Sequence, residues 1–215
     1  MYKSIYKQGV DEFEVKKSVF IGYSSPVKSE DEALAFIGEI KKKHHDATHN
    51  CSAYIIGEDM MIQRFDDDGE PSGTAGIPML EVLKREELTN VVVVATRYFG
   101  GTLLGGGGLI RAYSKTSKIA VDAGIIVEMV EYLHIEIDYD YVFHGKIINY
   151  IETNGYNTIE MNYSDRVQGI ILVSIKDMDK FKSDLINITS DEIIIKIRKE
   201  ILMPEKNGEL LLNDN

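Results

Sequence analysis

Arg97, Arg111, Lys115 and Lys118 lie in a stretch, residues 89–121, that contains no Asp or Glu, although the chain carries a net charge of −11. Six glycines, Gly100, Gly101, Gly105, Gly106, Gly107 and Gly108, are packed into the same stretch between an apolar run and a helical pattern. Free N–H groups at a helix start favour phosphate or carboxylate, and glycine lets such a group approach the backbone. The expectation is an anion site on which Arg97, after the strand, and Arg111, in the first turn of the helix, converge. On a helical wheel Arg111, Lys115 and Lys118 share one face, opposite Leu109, Ala112, Thr116, Ile119, Ala120 and Ala123. Tyr98, Phe99 and Tyr113 lie close in sequence and offer stacking on a base or sugar, or burial in the core. The bland alternative is that the cations form a solvated face and the glycines allow tight packing.

The known phosphate loops do not fit. Gly101 to Gly106 is followed by Gly107 where a Walker loop needs lysine, and Ile110 stands where the dinucleotide fingerprint needs glycine. A second group, Asp67, Asp68 and Glu70 with Gly73 and Thr74, forms an acidic loop. Counted from Asp66 as an EF-hand it puts Pro71 at the invariant glycine, so that register fails. What remains is Mg²⁺ held by one or two carboxylates and a substrate phosphate, a solvated turn, or a loop that salt-bridges to Arg97 or Arg111. His45 and His49 have zinc-helix spacing but sit at a helix-to-strand junction with no third ligand. Cys51 shares a face with His49 if the segment is extended, which gives either a thiol nucleophile or a small buried hydrophobe.

These residues need elements to place them. Two extended stretches come first, followed by a capping box at Ser29-Glu30-Asp31-Glu32 that opens a helix ending near Lys43. Strands are expected over 52–56 and 60–65, then the acidic loop, a helix over 79–87 with Pro78 in its first turn, and the buried strand 91–95. From Tyr132 the pattern reads strand, helix, strand, strand, helix, strand, a βαββαβ series of ferredoxin-like type. The expected domains are residues 1–131 and 132–204, with 205–215 as a frayed tail. The 215 residues hold a single cysteine, which removes an internal disulfide and fits a reducing compartment. No run approaches the length of a membrane span, so a cytoplasmic protein without membrane partners is expected.

KSVFIGYSSPVKSEDEA, DATHNCSAY, DDDGEPSGTAGIPML and VVVVATRYFGGTLLGGGGLIRAYS, spread over residues 17–114, closely resemble the YigZ/IMPACT family. The resemblance implies an α+β protein of two domains. The first is an α/β sandwich named for the second domain of a ribosomal protein; the other is a ferredoxin-like βαββαβ domain similar to the last domain of elongation factor G. Both of those relatives work on ribosomal RNA. It also implies a shared surface of Asp67, Asp68, Gly69, Glu70, Pro71, Gly73, Thr74, Gly76, Arg97, Tyr98, Gly100, Gly101, Gly107, Gly108 and Arg111. At Gly106 relatives often carry threonine or alanine. The restraint of a translation kinase by eukaryotic members depends on an added domain and is not carried over.

The reading is a non-catalytic module that binds RNA, the ribosome or a nucleotide phosphate in translational or stress regulation, with no catalytic residue and no resident cofactor. One alternative is a Mg²⁺-assisted phosphohydrolase in which Asp67 and Asp68 hold the metal and Arg97 and Arg111 clamp phosphate. The other is an adaptor that meets a protein partner through its acidic surface.

Overall fold

The computed structural model describes residues 1–212; part of the expected tail, residues 213–215, lies outside the described residues. The chain divides into two compact units, one of Met1–Met129 with Pro204–Glu209 and one of Val130–Met203 with the chain from Leu210. Each is an α+β unit built on an antiparallel sheet.

The first unit contains β1 (Tyr2–Ile5), β2 (Gly9–Val15), β3 (Ser18–Pro26), α1 (Glu30–Lys43), β4 (His49–Ile56), β5 (Ile62–Asp66), α2 (Gly76–Arg85), β6 (Val91–Tyr98) and α3 (Gly106–Ala123). Its five-stranded sheet has the order β2-β3-β6-β4-β5. Helices cover both faces. Val91, Val93 and Ala95 pack with Met79, Leu83 and Tyr113 of α2 and α3, while Val92 and Val94 pack with Phe36, Ile37 and Ile40 of α1. A central strand buried on both sides has no polar face to alternate with, which is why β6 reads as an unbroken apolar run.

Local chemistry fixes the helix starts. Ser29 Oγ accepts the Glu32 N–H at 3.2 Å, and Glu32 reaches back to the Lys28 N–H at 2.7 Å, one residue beyond the expected capping-box partner. α2 begins at Gly76, three residues before the expected start. The Asp67 carboxylate causes this by accepting the N–H groups of Gly73, Ala75 and Gly76 at 2.8, 3.1 and 2.7 Å.

The second unit follows the expected βαββαβ order with β7 (Ile126–Tyr139), α4 (His144–Thr153), β8 (Asn157–Tyr163), β9 (Val167–Ser174), α5 (Met178–Thr189) and β10 (Ile193–Lys206). The first residues of β7 pair with β1 in the first unit. In the second, the sheet order β10-β7-β9-β8 is that of a ferredoxin-like fold. Ile135, Ile137 and Tyr139 of β7 and Ile171 and Val173 of β9 face Ile147, Ile151, Phe181 and Leu185 of the two helices. The frayed tail expected from residue 205 is corrected. β10 runs to Lys206, Asn207 and Gly208 turn with φ of 54° and 81°, and β11 (Glu209–Leu210) pairs back. Two successive positive-φ residues of this type make the tight turn that favours a hairpin over a free end.

Candidate functional site

Alternation along β6 sends Arg97 and Tyr98 to opposite faces of the sheet. Arg97 lies opposite His49 of β4 on the side covered by α2 and α3 and is only 5% exposed. Its Nη1 donates to Glu70 Oε1 at 2.6 Å, and the Tyr113 hydroxyl donates to the same oxygen at 2.7 Å. His49 Nε2 stands 4.0 Å from the other Glu70 oxygen, while its Nδ1–H donates to the Asp68 carbonyl at 2.7 Å. The guanidinium is flanked by Phe20 and Phe99, each ring centre 5.4 Å away, and its Nε has no partner. The expected convergence of Arg97 and Arg111 on one anion is therefore corrected. Glu70 already neutralises Arg97, and burial shuts it from a solvent-borne ligand.

Tyr98 joins a different network on the α1 side. Its hydroxyl donates to Asp46 Oδ1 at 3.0 Å and receives the Nδ1–H of His44 at 2.9 Å, and Tyr23 donates to His44 Nε2 at 2.6 Å. This pattern suits a neutral imidazole. Partial burial, followed by the Lys43 charge, lowers the His44 pKa from its ordinary value. Tyr98 is thus a fixed part of the sheet's other face and does not join the glycine segment as a stacking platform.

The acidic loop is an organised turn. Besides the three N–H groups held by Asp67, Asp68 Oδ2 accepts the Asn50 N–H at 2.6 Å and its Oδ1 pairs with Lys41 at 2.7 Å. Thr74 Oγ1 donates to the Pro71 carbonyl at 2.6 Å, and Gly69 and Gly73 take φ of 86° and 76°. The carboxylates that the hydrolase reading assigned to Mg²⁺ are committed to peptide N–H groups and a lysine. Among the described residues no group of three or more His, Cys, Asp or Glu is placed to hold a metal ion. The salt-bridged loop weighed from sequence is the arrangement present, with Glu70 on Arg97. Cys51 is fully buried and donates to the Asp67 carbonyl at 3.0 Å; burial pushes its thiol far up, which removes the nucleophile reading.

The glycines divide by role. A Cβ on Gly100 would lie 2.0 Å from the Lys17 carbonyl, so that glycine is required by backbone contact. Gly105, the N-cap of α3, has φ of 73°, while side chains on exposed Gly106 and Gly107 would meet nothing within 4 Å. Packing therefore does not explain Gly106 and Gly107. Exposed Gly101, with φ of 81°, belongs to the preceding turn. The first N–H groups of α3 have no side-chain cap and face solvent, an arrangement that attracts negative charge.

Beside this helix start is an open cleft of about 330 Å³ between α3 and the β2 hairpin. Gly108, Arg111, Ala112 and Lys115 line it from the helix, Phe13, Glu14, Val15 and Lys16 from the strand and its turn, and Leu104 from the loop between β6 and α3. Lys115 Nζ lies 4.1 Å above the Phe13 ring centre. Arg111 and Lys115 thus share a site as the helical wheel indicates, but Ala112, expected on the opposite face, lines the cleft with them, and Lys118 leaves the set by pairing with Asp122 at 2.5 Å and Glu86 at 3.7 Å. Sequence reasoning missed Lys16. The available signal was the Lys16-Lys17 pair at the tip of a strand pair, where both residues take positive φ, 47° and 65°.

An antiparallel sheet covered by helices on both faces, joined in one chain to a ferredoxin-like unit, defines a two-domain α+β protein class. The chain belongs to the IMPACT family. Residues 16–121 match the Impact N-terminal domain, and residues 136–192 match a domain of unknown function, DUF1949. The IMPACT family member YvyE of Bacillus subtilis is 43% identical over 197 residues, covering 91% of this chain and 90% of that one. YigZ of Escherichia coli is 43% identical over 102 residues, or 46% of this chain and 50% of that one. A crystal structure described as a hypothetical protein aligns with a TM-score of 0.56 at 27% identity, covering 92% of this chain and 97% of that one.

Proposed function

We propose that the protein is a non-catalytic polyanion-binding module that meets RNA or the ribosome through the first unit, and that it acts in the cytoplasm in translational or stress regulation. The observation that carries this reading is the cleft between α3 and β2. Lys16, Arg111 and Lys115 have no ion pair there among the described residues, beside uncapped helix N–H groups, in a chain of net charge −11. Unpaired cations gathered on one surface of an acidic protein provide the local positive field that phosphate needs, and the negative remainder discourages indiscriminate coating of nucleic acid. Turnover is not part of the proposal. The carboxylates of the acidic loop and the Cys51 thiol are held by structural hydrogen bonds.

Cosedimentation of the full chain with ribosomes, and filter binding to structured and single-stranded RNA, at two salt concentrations tests the reading. Binding that falls steeply with salt is expected. If nothing binds at low salt, a protein-partner adaptor takes its place.

A further inference from the structure

We propose that the cleft between α3 and β2 is a subsite for one nucleotide of single-stranded RNA, with the phosphate met by Lys16, Arg111 and Lys115 and the base laid on an apolar floor. This deepens the polyanion reading and rests on it. The cleft has more than charge. Gly108, Arg111, Ala112 and Lys115 recur at i, i+3, i+4 and i+7, so cations and small residues share one stripe of the helix. Phe13 and Val15 of β2, with Leu104, supply apolar surface that an inorganic ion would leave unused. Phe13 is held firm by stacking on buried Phe20, with ring centres 5.5 Å apart and planes 9° from parallel. The Lys115 ammonium lies over the Phe13 ring, 4.1 Å from its centre, so the ring face it covers is closed to a base and the open apolar floor is Val15, Leu104 and the rim of Phe13.

The volume of about 330 Å³ sits at the low end of small-ligand cavities, roughly 300–1,000 Å³, and suits one nucleotide unit. A duplex keeps its bases stacked inside a stiff cylinder and would engage only the cations. A single strand can turn a base out onto apolar side chains while its phosphate stays with the arginine and lysines. Glu14 is the one acidic residue in the lining and opposes the phosphate.

Fluorescence anisotropy on the full chain tests this, with a labelled short oligouridine, a blunt RNA duplex of the same length, and inorganic phosphate as competitor. The single strand should bind more tightly than the duplex, and phosphate should compete weakly. Arg111→Ala with Lys115→Ala should weaken oligouridine binding by more than about tenfold and flatten the dependence of log affinity on log salt by about 1.4. Leu104→Ala should weaken it by roughly fivefold without changing that slope. Glu14→Gln, an exposed change that leaves packing alone, should tighten it. Equal or tighter duplex binding, or an affinity indifferent to both Leu104→Ala and Glu14→Gln, would overturn the single-nucleotide subsite while leaving the polyanion reading in place. Absence of binding by either RNA would overturn the subsite and leave the polyanion reading to be decided by ribosome cosedimentation.

Discussion

Arg97 and Arg111 carry the same group into opposite settings. Arg97 is buried against Glu70, whereas Arg111 stands exposed on the cleft wall. Arg97→Ala would leave the Glu70 carboxylate buried with Tyr113 as its remaining close donor, and loss of one partner of such a pair costs about 3–5 kcal/mol. Urea denaturation should show that loss, while Arg111→Ala should stay within about 0.5 kcal/mol of wild type. Equal stabilities for the two variants would contradict the assignment of roles. Titration should show a second residue-level signature. His44 is shifted below 6.5, so the unfolded chain takes up that proton first; the contribution of His44 is whole above pH 6.5 and falls as pH drops through its lower folded value. Asp66, lowered first by the Asp68 N–H and then by Lys41, and Asp138, lowered first by Arg166 and then by Gln168, contribute above pH 3.8 and are lost as pH falls through their depressed values. Thermal melts should therefore decline in two stages on acidification, and an NMR titration of His44 with a midpoint at or above 6.5 would refute the first. The residue types of both sites were legible in the sequence, because the acid-free stretch and the acidic loop stand out by composition. Their pairing was not. Nothing in local spacing says that Glu70 folds onto Arg97, since the contact depends on the cross-strand register of His49 with Arg97.

At the scale of elements, the patterns that rest on local chemistry were readable. The Ser29 cap, the end of α1 at Lys43, the buried run of β6 and the βαββαβ order each follow from short-range signals. The early start of α2 was hidden because its cap comes from Asp67, outside the helix, and the β10–β11 hairpin was hidden because the turn pair Asn207-Gly208 is followed by a strand of only two residues, Glu209–Leu210, too short to show a strand pattern. The glycines before and within α3 give a signed prediction. Gly106→Ala and Gly107→Ala meet open space in a helix and should leave stability unchanged or raise it by up to about 1 kcal/mol each. Gly100→Ala drives a methyl group into the Lys17 backbone and should destabilise by more than about 1 kcal/mol. Thermal denaturation of the three variants separates the roles, and a stable Gly100→Ala would show that the β2–β3 turn yields more readily than the contact implies.

At the scale of the molecule, the second unit has its own core of Ile135, Ile137, Tyr139, Ile147, Val173, Phe181 and Leu185, with two helices packed on one sheet. A fragment of residues 130–203 should accordingly fold by itself, with dispersed amide resonances and cooperative melting; a poorly dispersed product would place the boundary elsewhere. Function is a different matter from fold here, because a net charge of −11 hides a local basic cleft whose cations come from a turn and a helix remote in sequence. The measurement that tests the central claim most directly is the salt dependence of RNA affinity for the full chain and for the Arg111→Ala, Lys115→Ala variant. The cleft account predicts a steep inverse dependence for wild type and, in the variant, weaker binding with a smaller slope at unchanged stability. Identical affinity and slope in the two proteins would contradict it.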